Sequence, residues 1–318
     1  MLPIIIENPI RFKEVVENIT TKLLLYINEI ATTGGYTVRK KSNVRVLVDP
    51  LSKVFFQRIN KKSIIEKLIF IPPEKLRNHV AWFHRMNFDE NVKNDITAIF
   101  VDILYSKILN KSELIDSIGL KTCPYCNRAY IYSIKEGNIN PQIDHFYPKS
   151  KYPLFAVSLY NLIPSCLVCN SSGAKGAKDT LNKYPIFSPY IVNHNDFHFS
   201  YNLLSPAIIK GEYDEKAVNI YFDTCSNNDN KEVFHLERLY QKHSDHVVDL
   251  LYKRKYVFTD DYIKTLTAIV GHKIDQSYIN RFIVGAYSEP ENYHKRPLSK
   301  LYTEIAQGIG LINKKDLK

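Results

Sequence analysis

Long hydrophobic runs are missing from this chain. Its most apolar stretches, KLLLYI at 22–27 and KLIFI at 67–71, fall well short of the ~18 residues that cross a bilayer. Membrane-spanning helices, and a membrane as partner, are therefore not expected. The opening MLPIIIENPI has no basic n-region and no small-residue cleavage site, so no secretory signal is read and the cytoplasm is the expected location. Among the 11 glycines there is no phosphate-cradling loop, so an energy-using step requires another chain. Internal repeats and low-complexity linkers are also missing. Cysteine is scarce, with five in 318 residues. In a reducing compartment, cysteines in close pairs point to metal binding or redox chemistry before disulfides.

What is present is the balance of a globular chain, 45% hydrophobic and 24% charged, long enough for one large domain or two to three small ones. Formal net charge is +10, which permits an anionic partner without choosing one. Residues 121–183 are more specific: they carry eight basic and three acidic residues. Half of the net charge thus falls in a fifth of the chain, and a polyanion is its natural partner.

Residues 1–120 read mainly as helical. Val15, Val16, Ile19, Leu23, Ile27 and Ile30 share one face of RFKEVVENITTKLLLYINEI, and TTGGY supplies its stop. YTVRKKSNVRVLV alternates as a short strand or hairpin with KKSN near the bend. Pro73 suits the first turn of a helix to about Arg85. NVKNDITAIFVDILYSKIL repeats apolar residues at Ile96, Ile99, Phe100, Ile103, Leu104 and Ile108, an amphipathic helix. From 121 to 183 the texture changes to short strands, loops and paired cysteines. In 184–318, FHFSYNLL and AVNIYFD read as strands of a small sheet and EVFHLERLYQKHSDHVVDLLYKRKYV as one long helix, with two more helices around 260–286 and 298–311. The expected fold is α+β: a mostly helical scaffold in which an N-terminal helical region (1–120) and a C-terminal sheet-and-helix region (184–318) flank an embedded zinc unit (121–183).

Four of the five cysteines, Cys123, Cys126, Cys166 and Cys169, form two Cys-x-x-Cys pairs. Each such turn delivers two thiolates to one ion, and two of them close a tetrahedral zinc site with no open position. A redox dithiol would need one pair on a thioredoxin-like βαβ unit, and none is evident. Cys225, alone in DTCSNNDN, reads as a loop residue. A zinc with four thiolates cannot activate water, so its job is to pin segments distant in sequence. Any chemistry must lie in what it brackets. There, PQIDHFYPKS carries Asp144 and His145 at the end of a strand, LYNLIPSC is a second strand carrying Asn161, and Asn170 follows the last cysteine where a helix could begin. Knuckle, hairpin and helix start make the layout of a treble-clef, or ββα, zinc unit.

Asp-His, then Asn, then Cys-x-x-Cys-Asn resembles the HNH endonucleases, also called His-Me finger or ββα-metal nucleases, in their four-cysteine zinc form. CPYCNRAYI, DHFYPKSKYPLFAVSLYNLIPSC and CLVCN look like a bacterial subgroup of Septu-type anti-phage defence nucleases that act beside an ATPase. Close resemblance covers about 50 residues, counted from those motifs. It implies a metal-dependent phosphodiester hydrolase leaving 5′-phosphate ends, with DNA favoured over RNA as substrate and an ATPase as a possible partner. His145 would be the general base, with a pKa near the working pH. Asp144 and Asn170 would ligate Mg²⁺ or Mn²⁺, and Asn161 would bond backbone near His145 and so orient the ring. Lys149, Lys175 and Lys178 are candidate phosphate contacts. Many relatives have lysine and glycine close after the last Asn, whereas here they are displaced into SSGAKGAK. The alternative is a non-catalytic zinc-stabilised module that binds nucleic acid or serves as an adaptor.

Overall fold

The apolar stripe near the N-terminus becomes a single helix in the computed structural model, which describes residues 1–38, 44–134, 140–224, 229–270 and 275–313. This helix, α1 (Pro9–Thr33), starts on Asn8, whose side-chain oxygen accepts from the Arg11 N–H at 3.0 Å. Proline stands at the first position, where no N–H is needed. The helix ends where Gly34, at φ +74°, returns its N–H to the Ile30 carbonyl, a left-handed turn that glycine makes without a Cβ clash. Val15, Val16, Ile19, Leu23, Ile27 and Ile30 are all buried, as their spacing anticipates.

The chain divides into two compact units, one of Ile4–Gly119 and Ser133–Ile191, the other of Met1–Pro3, Leu120–Tyr132 and Val192–Lys318. In the first, β1 (Gly35–Val38) and β2 (Val44–Leu47) form the expected antiparallel hairpin. Its KKSN bend lies outside the described residues. A Cβ on Gly35 would come within 2.6 Å of the Val46 carbonyl oxygen, so the pairing requires glycine there. Helices α2 (Pro50–Ile59), α3 (Lys62–Ile69), α4 (Pro73–Arg85) and α5 (Glu90–Thr97) follow. The amphipathic stretch after residue 90 is helical, but from Ala98 to Ile108 its turns widen to the π pattern. The wider turn admits Tyr105 to the buried face beside Ile99, Phe100, Ile103 and Leu104. Next comes α6 (Lys111–Ile118), which packs on α1 as α2 and α3 do.

The strand pair β3 (Gln142–His145) and β4 (Leu162–Ser165) is antiparallel, with Asp144 opposite Ile163 and His145 opposite Leu162. Asn161 is not on the second strand, as expected, but on the 3₁₀ turn Leu159–Asn161 just before it. The helix expected to begin at Asn170 instead ends there: α7 (Leu167–Asn170) is a single turn starting from Cys166. It ends because Ser171 turns to extended backbone at φ −68° and ψ 160°, and Gly176 at φ +43° then folds the following loop so tightly that a Cβ there would lie 2.9 Å from the Ser172 Cα.

In the second unit, β5 (Phe197–Leu203) and β6 (Val218–Thr224) pair antiparallel, with α8 (Ala207–Lys210) in their connection. Phe197, Phe199, Ile220 and Phe222 are buried on one face. The single long helix expected at 232–257 is broken into α9 (Asn230–Val233), α10 (Leu236–Tyr240) and α11 (Ser244–Tyr252). The break is at His235, whose φ of +50° no right-handed helix accommodates. Phe234 beside it stacks on Tyr125 with ring centroids 4.3 Å apart, so ring packing outweighs helical continuity. Two helices, α12 (Asp260–Val270) and α13 (Gln276–Val284), replace the one expected at 260–286, and α14 (Ser299–Gly308) falls where expected. Cys225 lies outside the described residues. Helices predominate beside small antiparallel strand pairs, an α+β fold. Among the described residues no helix is long and apolar enough to cross a membrane.

Candidate functional site

The end of β3 delivers Asp144 and His145 to the interior of the first unit, where they are 2% and 6% exposed. The His145 Nε2 lies 3.1 Å from the Ala156 carbonyl oxygen. A carbonyl can only accept, so Nε2 carries the hydrogen and Nδ1 keeps its lone pair in the neutral ring. The imidazole meets the Tyr105 ring edge-on, centroids 4.4 Å apart. Burial, then the Lys149 charge, push the imidazole pKa down to about 3, while the Ala156 bond opposes them. That corrects the expectation of a pKa near the working pH. The ring is held neutral well below pH 7 because it is enclosed and ringed by lysines.

Successive residues of a strand face opposite ways, and Asp144 meets a different partner. Its Oδ1 accepts from the Lys175 Nζ at 2.9 Å, and the same ammonium donates to the His145 carbonyl. Lys175 is completely buried, so its charge neutralises Asp144 inside the protein and does not lie on the surface. Its backbone N–H is fixed to the Cys169 carbonyl at 3.2 Å, which ties this lysine to the second cysteine pair. The Asp144 charge also reaches Tyr105. Burial first and then Asp144 raise the phenol pKa to about 12, keeping its O–H a donor.

Asn161 is fully buried and uses both ends of its amide. Its Oδ1 accepts the Tyr147 N–H at 2.7 Å, and its Nδ2 donates to the Tyr147 and Phe155 carbonyls at 3.1 and 3.0 Å. It therefore clamps the backbone just after His145 to the residue before Ala156. Asn170 is half-buried and donates its Nδ2 to Gln142 Oε1 at 2.8 Å, which turns the amide oxygen away from Gln142. The Lys178 ammonium closes on the loop that follows α7, donating to the Ala174 carbonyl and standing apart from the Asp144–His145 cluster. Lys149 is half-buried, its Nζ 4.4 Å from the Tyr105 centroid, and so belongs to the His145 surroundings. Asp144, His145, Asn161, Lys149 and Lys175 thus come together, and Lys178 does not.

Tyr105, Lys111 and the Ala156 carbonyl were not legible in the motif. Lys111 Nζ is 4.6 Å from the Tyr105 centroid. Nothing in the helical pattern singles out Tyr105 or Lys111, and a backbone carbonyl leaves no trace in sequence.

The Sγ atoms of Cys123, Cys126, Cys166 and Cys169 all lie within 4.8 Å of one another, near the ~3.8 Å edge of a tetrahedron with Zn–S bonds of ~2.3 Å. None is in a disulfide. Three are fully buried and Cys166 is 8% exposed. At the first pair, the Asn127 N–H returns to the Cys123 carbonyl at 2.7 Å and the Arg128 N–H points at the Cys126 sulfur at 3.4 Å. Asn127 takes φ +48° to make this turn. At the second pair, the Cys169 N–H faces the Cys166 sulfur at 3.5 Å. Buried sulfurs that accept backbone N–H groups suit thiolates, and this donor set could hold zinc.

No family model matches the chain, and no solved structure gives a significant match. Among curated proteins it is similar to the Septu protein PtuB of Bacillus thuringiensis, 38% identical over 69 residues, which are 22% of this chain and 24% of that protein. The chain therefore spans about a quarter of the length of this relative.

Proposed function

We propose that the chain is a metal-dependent HNH endonuclease that hydrolyses phosphodiester bonds, with DNA favoured over RNA, and that it serves anti-phage defence in the cytoplasm. The observation that carries the reading is the state of His145. Its Nε2–H is taken by the Ala156 carbonyl, so in the neutral ring Nδ1 is the atom left to accept a proton, although the lowered pKa makes the enclosed ring a weaker base than a free imidazole. In the reaction His145 Nδ1 takes a proton from water as the water oxygen bonds phosphorus. The P–O3′ bond breaks, leaving a 5′-phosphate, and the departing O3′ takes a proton from a second water. Asn161 positions this base through the two backbone stretches it clamps. Asp144 and the amide oxygen of Asn170 are the groups to hold Mg²⁺ or Mn²⁺, which when bound stabilises charge on the scissile phosphate and the leaving oxygen. Of the candidate phosphate contacts Lys149 is the one we favour, because Lys175 is committed to Asp144 and the His145 carbonyl and Lys178 to the loop after α7. Zinc in the four-cysteine set has a structural role within the unit 121–183.

The similarity to a Septu protein, with the Septu-type motifs in the sequence, supports the defence assignment and an ATPase as partner. The test is cleavage of plasmid, single-stranded DNA and tRNA by the purified chain with Mg²⁺, Mn²⁺ or EDTA, beside His145→Ala. Metal-dependent cutting lost in the variant is the expected result, with folding and zinc content unchanged. Binding of nucleic acid without cutting, even with an ATPase partner present, would replace the nuclease by a zinc-stabilised binding module.

A further inference from the structure

We infer that Lys111, Lys149 and the Tyr105 ring form a phosphate-binding subsite beside His145, through which the helical part of the chain grips the nucleic acid. This rests on the nuclease reading above. Tyr105 comes from the π-helical segment, Lys111 opens α6, and Lys149 lies in the loop after β3. Two consecutive helical elements and the loop after β3, all in the first unit, meet at one ring. Both ammonium groups and the imidazole contact it, with Nζ-to-centroid distances of 4.6 Å for Lys111 and 4.4 Å for Lys149, and a ring-to-ring distance of 4.4 Å for His145.

Such a gathering of positive charge works against the free protein. Among the described residues neither lysine has a carboxylate at salt-bridge distance, and Asp102 acts on Lys149 only from farther away. Burial, then the neighbouring Lys111, press the Lys149 pKa down, and the Asp102 charge opposes them only in part. Lys111 is moreover the first residue of an eight-residue helix, where the positive end of the helix dipole already disfavours a cation. The ring face offers each ammonium a modest attraction but no neutralising charge. A bound anion relieves all of these at once. Both lysines are half-buried, so a ligand can reach them, and the Tyr105 hydroxyl remains a donor. Because the imidazole shares the same ring, the anion that fits the site is a phosphate at or next to the scissile one.

The experiment uses the full chain with His145→Ala to prevent cutting. Affinity for a short DNA duplex and for its single strand is measured over a KCl titration in Mg²⁺, with Lys111→Gln, Lys149→Gln, the double variant and Lys111→Arg. Each neutralised lysine should weaken binding and flatten the plot of log affinity against log salt, by about 0.9 on duplex or about 0.7 on single strand. Lys111→Arg should restore the slope. A purely structural role would lower thermal stability but leave the slope alone, so unfolding midpoints are recorded beside it. An unchanged slope in the double variant, with the parent chain still cleaving and binding, overturns the subsite and spares the nuclease. If the parent chain neither binds nor cuts nucleic acid, the nuclease reading fails and the subsite fails with it.

Discussion

Lys175 and Asp144 form an ion pair at 2.9 Å from which water is excluded, their side chains 0% and 2% exposed. Neither group would be buried alone, because taking one charge out of water costs more than folding recovers. The pair is therefore a single structural unit at the end of β3, and it determines how Asp144 behaves when a cation or substrate arrives.

Breaking that pair from one side should be severe. Lys175→Met leaves an uncompensated buried carboxylate and should cost about 3–5 kcal/mol of stability, read by urea unfolding. Adding Asp144→Asn should recover a large part of it, since the double variant has no stranded charge. If Lys175→Met costs under about 1 kcal/mol, within the range of a surface pair, then Asp144 has another counter-charge and the pairing described here does not govern the site.

Asn161 gives a second test, independent of charge pairing. Asn161→Asp keeps the shape and the acceptor for the Tyr147 N–H but cannot donate to the Tyr147 and Phe155 carbonyls. It also places a negative charge in a fully buried position. Asn161→Ala should destabilise by roughly 2–4 kcal/mol and Asn161→Asp by at least as much, because groups left unsatisfied inside cost about 1–3 kcal/mol each. Catalytic activity should fall more than stability predicts in conditions where the variant remains folded, as Ala156 loses its fixed place under His145. An Asn161→Asp protein as stable as the parent would show that the carbonyls find other donors.

Much of this was legible in the sequence where the signal is periodic or covalent in origin. The face of α1 follows from 3.6-residue spacing and its end from the glycines of TTGGY, whereas its start on Asn8 was not read. The cysteine cluster follows from two Cys-x-x-Cys turns. Three failures have a common cause in tertiary packing. The helix through His235 is broken by the stacking of Phe234 on Tyr125, a contact between residues over a hundred positions apart. The π turn that buries Tyr105 is not encoded by any repeat of apolar residues. Lys175 reads in sequence as a candidate phosphate contact, yet it is turned inward onto Asp144. Asp144, His145, Asn161, Lys149 and Lys175 are singled out by the motif and its surroundings, whereas Tyr105 and Lys111, which also face His145, come from a distant segment that no motif covers.

The cysteine set should behave as one cooperative ligand. Cys166→Ser removes one of four sulfurs and should lower bound zinc, measured by metal analysis of the purified chain, together with a fall in the unfolding midpoint. Structural zinc contributes folding energy directly, so chelation of the parent chain should mimic the substitution. A Cys166→Ser chain with full zinc content and parental stability would mean that the sulfurs are not metal ligands.

Acid should weaken the protein through His145 with a sign fixed by its burial. The folded-state pKa of about 3 lies below the ~6.5 of the unfolded chain. Between those values the unfolded state binds a proton that the native state does not. Stability is then complete above pH 6.5 and declines as pH falls through the window, by about 1.4 kcal/mol per pH unit for this group. His194 and His243, both lowered to about 4 mainly by burial, act in the same direction but are only half-buried, so their share is smaller. Urea midpoints at pH 7.5, 6.5 and 5.5, without added Mg²⁺, should therefore fall more steeply in the parent than in His145→Asn, which has no proton to take up there. Acid effects on the cysteine site are common to both proteins and cancel in the comparison. Parallel curves for the two would place His145 in contact with water and remove the enclosed imidazole described here.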